Sequence, residues 1–178
     1  AEWIRFYGLL FNCEQRADSL FAAIEKDYLS EKERAARLPL GRSILTERKT
    51  GSVWYVPGGK STMGVLLKDA NAKYVFSTDD HSGSLALSPE QVLEKADSID
   101  VWAFKTFSET NLLQEYAGYK YLKAFKTGEV YECNTSVIPY FEQTSFHPER
   151  LLREFVLLAH PESGDLTKLR YYRKCKLK

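Results

Sequence analysis

The chain has 178 residues, 44% of them hydrophobic and 13% aromatic, which is ample for one ordinary domain or one lobe of a larger protein and excludes a disordered chain. Lys and Arg number 25 against 24 for Asp and Glu, so no overall field exists to hold nucleic acid or an acidic membrane, and no nucleic-acid partner is expected. No apolar run reaches the roughly 18 residues that cross a bilayer, and the first residues lack the layout of a signal peptide.

From Trp3 to about Arg37 the apolar residues Trp3, Ile4, Tyr7, Leu10, Phe11, Ala17, Leu20, Phe21, Ile24, Tyr28 and Leu29 recur at three- and four-residue steps with charges between them. The spacing predicts one long amphipathic helix over residues 1–38, ended near Pro39 and Gly41, with Trp3, Phe6 and Tyr7 exposed near its start. Ala1 enters the pattern with no capping residue before it, as expected of a chain cut from something longer. Beyond the helix, Ser43 to Glu47, Ser52 to Val56, Lys73 to Phe76, Val101 to Phe104 and Val130 to Cys133 are short β-branched or aromatic runs that read as strands. Helical stretches lie between and after them at Ser61 to Asp69, Pro89 to Ala96, Thr110 to Tyr116 and Pro148 to His160. This alternation predicts a three-layer α/β/α lobe with a mostly parallel sheet over residues 39–178. The basic ending, Arg170 to Lys178, contains Tyr171 and Tyr172 and reads as a surface strand or tail.

In such sheets a ligand crevice lies beyond the carboxyl ends of the strands. Four segments qualify: Arg48 to Thr62, Thr78 to Ser84, Lys105 to Ser108 and Asn134 to His147. They carry many aromatic residues, which suits a large flat or hydrophobic ligand such as a chelated metal or a macrocycle. The expected ligand contacts are Trp54, Tyr55, Lys60, His81, Ser84, Lys105 and Tyr140, each following a predicted strand end. Lys60 and Lys105 would face anionic groups, and Tyr55, His81 or Tyr140 would approach a metal centre.

Other motifs constrain the chemistry. Gly59-Lys60-Ser61 imitates the close of a nucleotide-binding loop, but the first glycine of that motif should stand where Trp54 stands. What remains is a glycine turn opening a helix, either a plain turn or one that faces an anion. Asp79, Asp80 and His81 have no partner at metal-ligand spacing, so no dedicated metal site and no cofactor are expected. Cys13, Cys133 and Cys175 likewise follow no metal or redox spacing, leaving their disulfide state open. No nucleophile elbow is present, and an enzymatic activity is not expected. Ser88-Pro89-Glu90-Gln91 reads as a capping box that starts a helix. Glu90 then stands in the first turn, where the helix dipole favours a carboxylate.

Together these residues resemble the C-terminal half of periplasmic substrate-binding proteins whose two lobes are joined by one rigid helix, the class serving uptake of iron siderophores, haem and cobalamin. The likeness is nearest to the iron-transporter branch of Bacteroides-like bacteria. It rests on Ala1 to Gly8 opening the helix, on Gly51 to Gly59, on His81 to Ser84 before Ser88-Pro89-Glu90, and on Cys133 to Thr135 leading to Pro139-Tyr140-Phe141. The resemblance implies a chelatase-like lobe, periplasmic and lipid-anchored in the full-length protein, that captures a metal chelate and hands it to an inner-membrane ABC permease. It also implies that an N-terminal lobe precedes Ala1 and that Glu90 docks onto the permease, where the family places a glutamate in a Ser-x-Glu segment. The alternative is a metal-insertion enzyme on a similar lobe, for which only His81 with Asp79 or Asp80 offers a proton-transfer pair.

Overall fold

The computed structural model describes residues 1–108 and 111–177, so the expected helix start at Thr110 and the last basic residue, Lys178, lie outside the described residues. The chain opens with two helices, α1 (Trp3–Leu10) and α2 (Glu14–Ala36), where the apolar spacing predicts a single rod over 1–38. The break is made at Asn12, whose φ of 51° is left-handed. Around it the Cys13 N–H donates to the Gly8 carbonyl at 2.8 Å and the Asn12 N–H to that of Leu9 at 3.4 Å. This is a Schellman ending, which asparagine tolerates better than most side chains.

α1 then folds back on α2. Gly8 lies so close to Ala17 that a Cβ added to the glycine would stand 2.3 Å from the Ala17 Cβ. Arg5 reaches Asp18 at 3.0 Å and spreads over the Phe21 ring at 3.9 Å. Trp3, Phe6 and Tyr7 nevertheless stay on the surface, at 61%, 49% and 45% exposure.

After α2 come β1 (Ile44–Thr46), β2 (Lys49–Thr50), β3 (Val53–Pro57), α3 (Thr62–Asp69), β4 (Ser84–Leu87), α4 (Pro89–Leu93) and β5 (Val101–Thr106). They are followed by α5 (Leu112–Glu115), α6 (Lys123–Lys126), β6 (Val130–Asn134), α7 (Tyr140–Thr144), α8 (Pro148–Ala159) and β7 (Arg173–Lys174). The main sheet runs β1-β5-β6-β7, with the first three strands parallel and β7 antiparallel at its edge. Successive residues of a strand point to opposite faces, and the core divides accordingly. Val101, Ala103, Tyr131 and Cys133 share one buried cluster with Ala35 of α2, Leu67 of α3 and Phe155 of α8. Trp102, Phe104 and Val130 share the other with Trp54 of β3, Val92 of α4 and Ala124 of α6.

The result is an α/β lobe with a mainly parallel sheet between two covering layers. One layer is not purely helical, because β2, β3 and β4 form a separate antiparallel sheet. The expected strand from Lys73 to Phe76 is reduced to one parallel bridge, Ser43 with Lys73, followed by turns. The cause is Tyr74, which is buried and donates its hydroxyl to the Pro57 carbonyl, drawing the chain out of line with the sheet. Among the described residues no helix is long and apolar enough to cross a membrane.

Candidate ligand-binding cleft

A cleft of about 740 Å³ opens where β1 and β5 end, lined by Glu47 just past β1 and by Lys105 near the end of β5. This is the place that a parallel sheet with its crossovers leaves open. Tyr55 and Pro57 of β3 and Ser84 of β4 form one wall. The first turns of α3, with Thr62, Met63 and Leu66, form another, and Tyr140, Phe141 and Leu151 of α7 and α8 complete it.

Four of the seven expected contacts are brought together on this surface: Tyr55, Ser84, Lys105 and Tyr140. Trp54 is not among them. It is fully buried, with its ring centroid 6.0 Å from Trp102 and 5.4 Å from Tyr119. Alternation along β3 puts Tyr55 on the cleft side and Trp54 in the core, so the two neighbours cannot both meet a ligand. Lys60 and His81 also lie off the cleft lining. Lys60, in the turn before α3, pairs with Asp80 at 2.8 Å, and His81 Nδ1 stands 3.0 Å from Asp79 Oδ1, both aspartates and His81 lying in the loop that follows α3. That loop braces the glycine turn. The Gly58 N–H donates to the Gly83 carbonyl at 2.8 Å and the Lys60 N–H to that of His81 at 3.1 Å. The Ser61 N–H donates to the Gly58 carbonyl at 3.0 Å, so three amides that an anion could have used are already engaged.

Glu47, Arg48, Met63 and Phe141 line the cleft but were not among the expected contacts. Glu47 ends the strand predicted from Ser43, and nothing in the local sequence signals that its backbone turns left-handed, with φ of 68°. Two indoles hold it there. Trp102 Nε1 donates to the Glu47 carbonyl at 2.8 Å and Trp54 Nε1 at 3.3 Å. The Glu47 carboxylate pairs with the Lys105 ammonium, while Arg48 pairs with Glu115. Lys105 Nζ also stands 5.5 Å from the centroid of the Tyr140 ring.

Burial raises the Tyr140 phenol above its ordinary range, so at neutral pH the group offers a hydroxyl rather than a phenolate. On β6, burial pushes the Cys133 thiol up to about 12, which keeps it protonated and inert. Among the described residues no cluster of three or more His, Cys, Asp or Glu side chains is placed to hold a metal ion. The cleft can therefore grip a large ligand through aromatic and aliphatic walls, side-chain hydroxyls and a charged floor.

Glu90 is exposed in the first turn of α4, outside the cleft lining. The capping box is present: Ser88 Oγ accepts from the Gln91 N–H at 3.3 Å and Gln91 Oε1 from the Ser88 N–H at 2.9 Å.

A family model described as periplasmic binding protein matches residues 1–137. No curated protein matches the chain. Among solved structures, the TroA-like periplasmic binding protein FepB from Veillonella parvula is similar at a TM-score of 0.67 and 17% identity, over 91% of this chain and 52% of that one. S. aureus IsdE complexed with heme is similar at 0.67 and 18%, over 89% and 63%. The ABC-type Fe3+-hydroxamate transport system from Saccharomonospora viridis is similar at 0.62 and 22%, over 86% and 53%. The likeness is one of fold, and the chain spans between 52% and 63% of the length of these three proteins.

Proposed function

Because the chain belongs to the periplasmic binding protein family, we propose that it is one lobe of the solute-binding component of an ABC importer, capturing a metal chelate in the cleft and presenting it to a membrane permease. The ligand class is a ferric siderophore, haem or cobalamin, and the working location is extracytoplasmic, with a lipid anchor in the full-length protein. A second lobe, preceding this one, would close over the ligand from the other side. The observation that carries the reading is the make-up of the cleft, in which Tyr55, Met63 and Phe141 surround a charged floor of Glu47 and Lys105. Apolar walls with a few placed polar groups suit a chelate, whose outer surface is largely organic.

The metal-insertion alternative requires a titratable group with a proton-transfer partner at the reacting centre. His81, the candidate named from the sequence, pairs with Asp79 in the exposed loop and does not line the cleft, and the cleft carboxylate Glu47 is held by Lys105 as an ion pair. The binding reading is favoured for that reason.

The test is a titration of the full-length, two-lobed protein with haem, a ferric trihydroxamate and cobalamin, followed by absorbance and by recovery of the ligand; this lobe alone should bind weakly, since half the contact surface is missing. At least one should bind stoichiometrically and return unaltered. Replacing Tyr55 and Phe141 together with Ala should weaken that binding at least about tenfold, since aromatic anchors carry most of such energy. Titration curves that do not respond to the double replacement would remove the ligand from this cleft.

A further inference from the structure

The floor of the cleft holds an ion pair in an unusual setting. Glu47 is not a glycine, yet its backbone is left-handed, a conformation that costs a side-chain-bearing residue on the order of 1 kcal/mol. Two buried tryptophans spend their indole N–H groups on its carbonyl, so this backbone is fixed rather than tolerated. The carboxylate so presented meets Lys105 of β5, the strand paired with β1 on the same floor of the cleft. Both side chains keep part of their surface, 29% for Glu47 and 21% for Lys105, and both line the cleft. The remaining charged residue of the lining, Arg48, is engaged by Glu115.

We infer that Glu47 is an internal stand-in for an acidic group of the ligand, occupying Lys105 until a ligand carboxylate takes its place, so that the cleft selects chelates bearing carboxylates. The inference rests on the binding reading given above and names the ligand chemistry of that same site.

Three features make the exchange physically coherent. Covering the cleft withdraws Lys105 further from water, where an ammonium must keep an anionic partner. A neutral ligand leaves Glu47 in that role, whereas an acidic one would put two carboxylates on one cation. Glu47 can yield by rotating its side chain, because its backbone anchor lies in the core and its carboxylate lies in the cleft. Lys105 keeps a second support throughout, the face of the Tyr140 ring.

A purely structural ion pair predicts otherwise. Removing its acid would lower stability and leave ligand preference alone. The experiment compares haem, which carries two propionates, with haem dimethyl ester, and ferric citrate with a neutral ferric trihydroxamate, on the full-length protein unaltered and with Glu47→Gln or Lys105→Met. Thermal unfolding of each variant is recorded alongside. The expected result is that Glu47→Gln binds the carboxylate-bearing probes about five- to tenfold more tightly, because no internal ion pair has to be displaced. The neutral probes should gain nothing, since with them Glu47→Gln leaves Lys105 covered and without an anion, and Lys105→Met should erase the preference for carboxylates. Probes that bind the unaltered chain but show no gain with Glu47→Gln, or an equal gain for ester and acid, overturn the stand-in and leave the binding role standing. If no chelate binds any form of the full-length protein, the binding reading falls and the stand-in with it.

Discussion

Glu154 sits on α8 with 3% of its surface exposed, and its carboxylate is spent on the backbone. The Tyr171 N–H donates to one oxygen at 2.7 Å, that of Tyr172 to the other at 3.1 Å, and the Arg170 N–H is a third donor. These contacts fasten the segment before β7 to the helix layer and seat Tyr171 and Tyr172 against Tyr140, with ring centroids 5.6 and 6.3 Å away. Tyr140 is the cleft residue whose position thus depends on a carboxylate outside the cleft. Replacing Glu154 with Gln keeps the volume but points an amide NH2 at groups that are all donors. The expected cost is about 2–4 kcal/mol, from donors left unpaired in a buried place. A urea unfolding midpoint within error of the unaltered chain would refute this role.

At the scale of elements, the first connection is the most informative. The apolar series that predicts one rod runs in three- and four-residue steps up to Phe11 and then jumps six residues to Ala17. That jump, with Asn12 inside it, was the available sign of the break. Asn12→Gly should leave stability nearly unchanged, whereas Asn12→Val should cost about 1–2 kcal/mol, because a β-branched side chain strains a left-handed backbone. Hydrogen exchange of the α1 amides would report it, and equal protection in the two variants would mean that Asn12 does not set the break. Helices with chemical punctuation were legible at once: α3 with Ser61 as its cap, α4 with its capping box and α8 with Pro148 at its first position. The core strands β1, β5 and β6 were legible as apolar runs. What escaped were features decided by tertiary contact. Ser84 to Leu87 is a strand through pairing with β3, and Lys73 to Phe76 is not one because the Tyr74 hydroxyl is claimed by Pro57. In the cleft the same division holds. Tyr55, Ser84, Lys105 and Tyr140 lie in segments legible as crevice candidates, but whether a neighbour such as Trp54 faces in or out depends on strand phase. The role of Glu47 depends on indoles seven and fifty-five positions away.

For the whole molecule, two carboxylates tie the sheet together and set its acid limit. Burial alone would raise the Asp100 carboxyl, but the Lys123 ammonium at 2.6 Å and the Ser43 N–H at 2.9 Å outweigh it and hold it below the usual range. Glu129 is likewise lowered against the pull of burial, by Lys174 at 2.7 Å and Arg42 at 2.8 Å. A carboxyl whose folded value is depressed adds stability that is fully present above its unfolded value and is lost as pH falls through the folded one. The chain should therefore lose denaturant resistance from roughly pH 4 downward. Asp100→Asn should lower the urea midpoint at pH 7 while narrowing the gap between pH 7 and pH 3. An unchanged gap would place the acid sensitivity elsewhere.

Glu90 is the residue for which the family resemblance implies a permease-docking role. Its own N–H and the Ser88 hydroxyl lower its carboxyl below the ordinary glutamate range, so the group is ionised at any physiological pH. It is exposed, while Val92 on the same helix is fully buried. The helix thus presents a fixed negative charge outward on a rigid, capped turn. Docking to arginines of a permease, the role we propose for it, needs such a charge and little else. An exposed pair of this kind guides encounter and orientation more than it adds affinity, and its effect fades as salt rises. If Glu90 serves only its own helix, Glu90→Gln and Glu90→Arg should shift the unfolding midpoint slightly and leave transport unaltered. If it docks, both variants should fold and bind chelate normally while permease binding drops, with Glu90→Arg the weaker because repulsion replaces attraction. Transport by membranes reconstituted with the permease, measured at low and at high salt, separates the two. A Glu90→Arg variant that transports at the unaltered rate at low salt, where the charge matters most, would leave Glu90 as a helix-start residue alone.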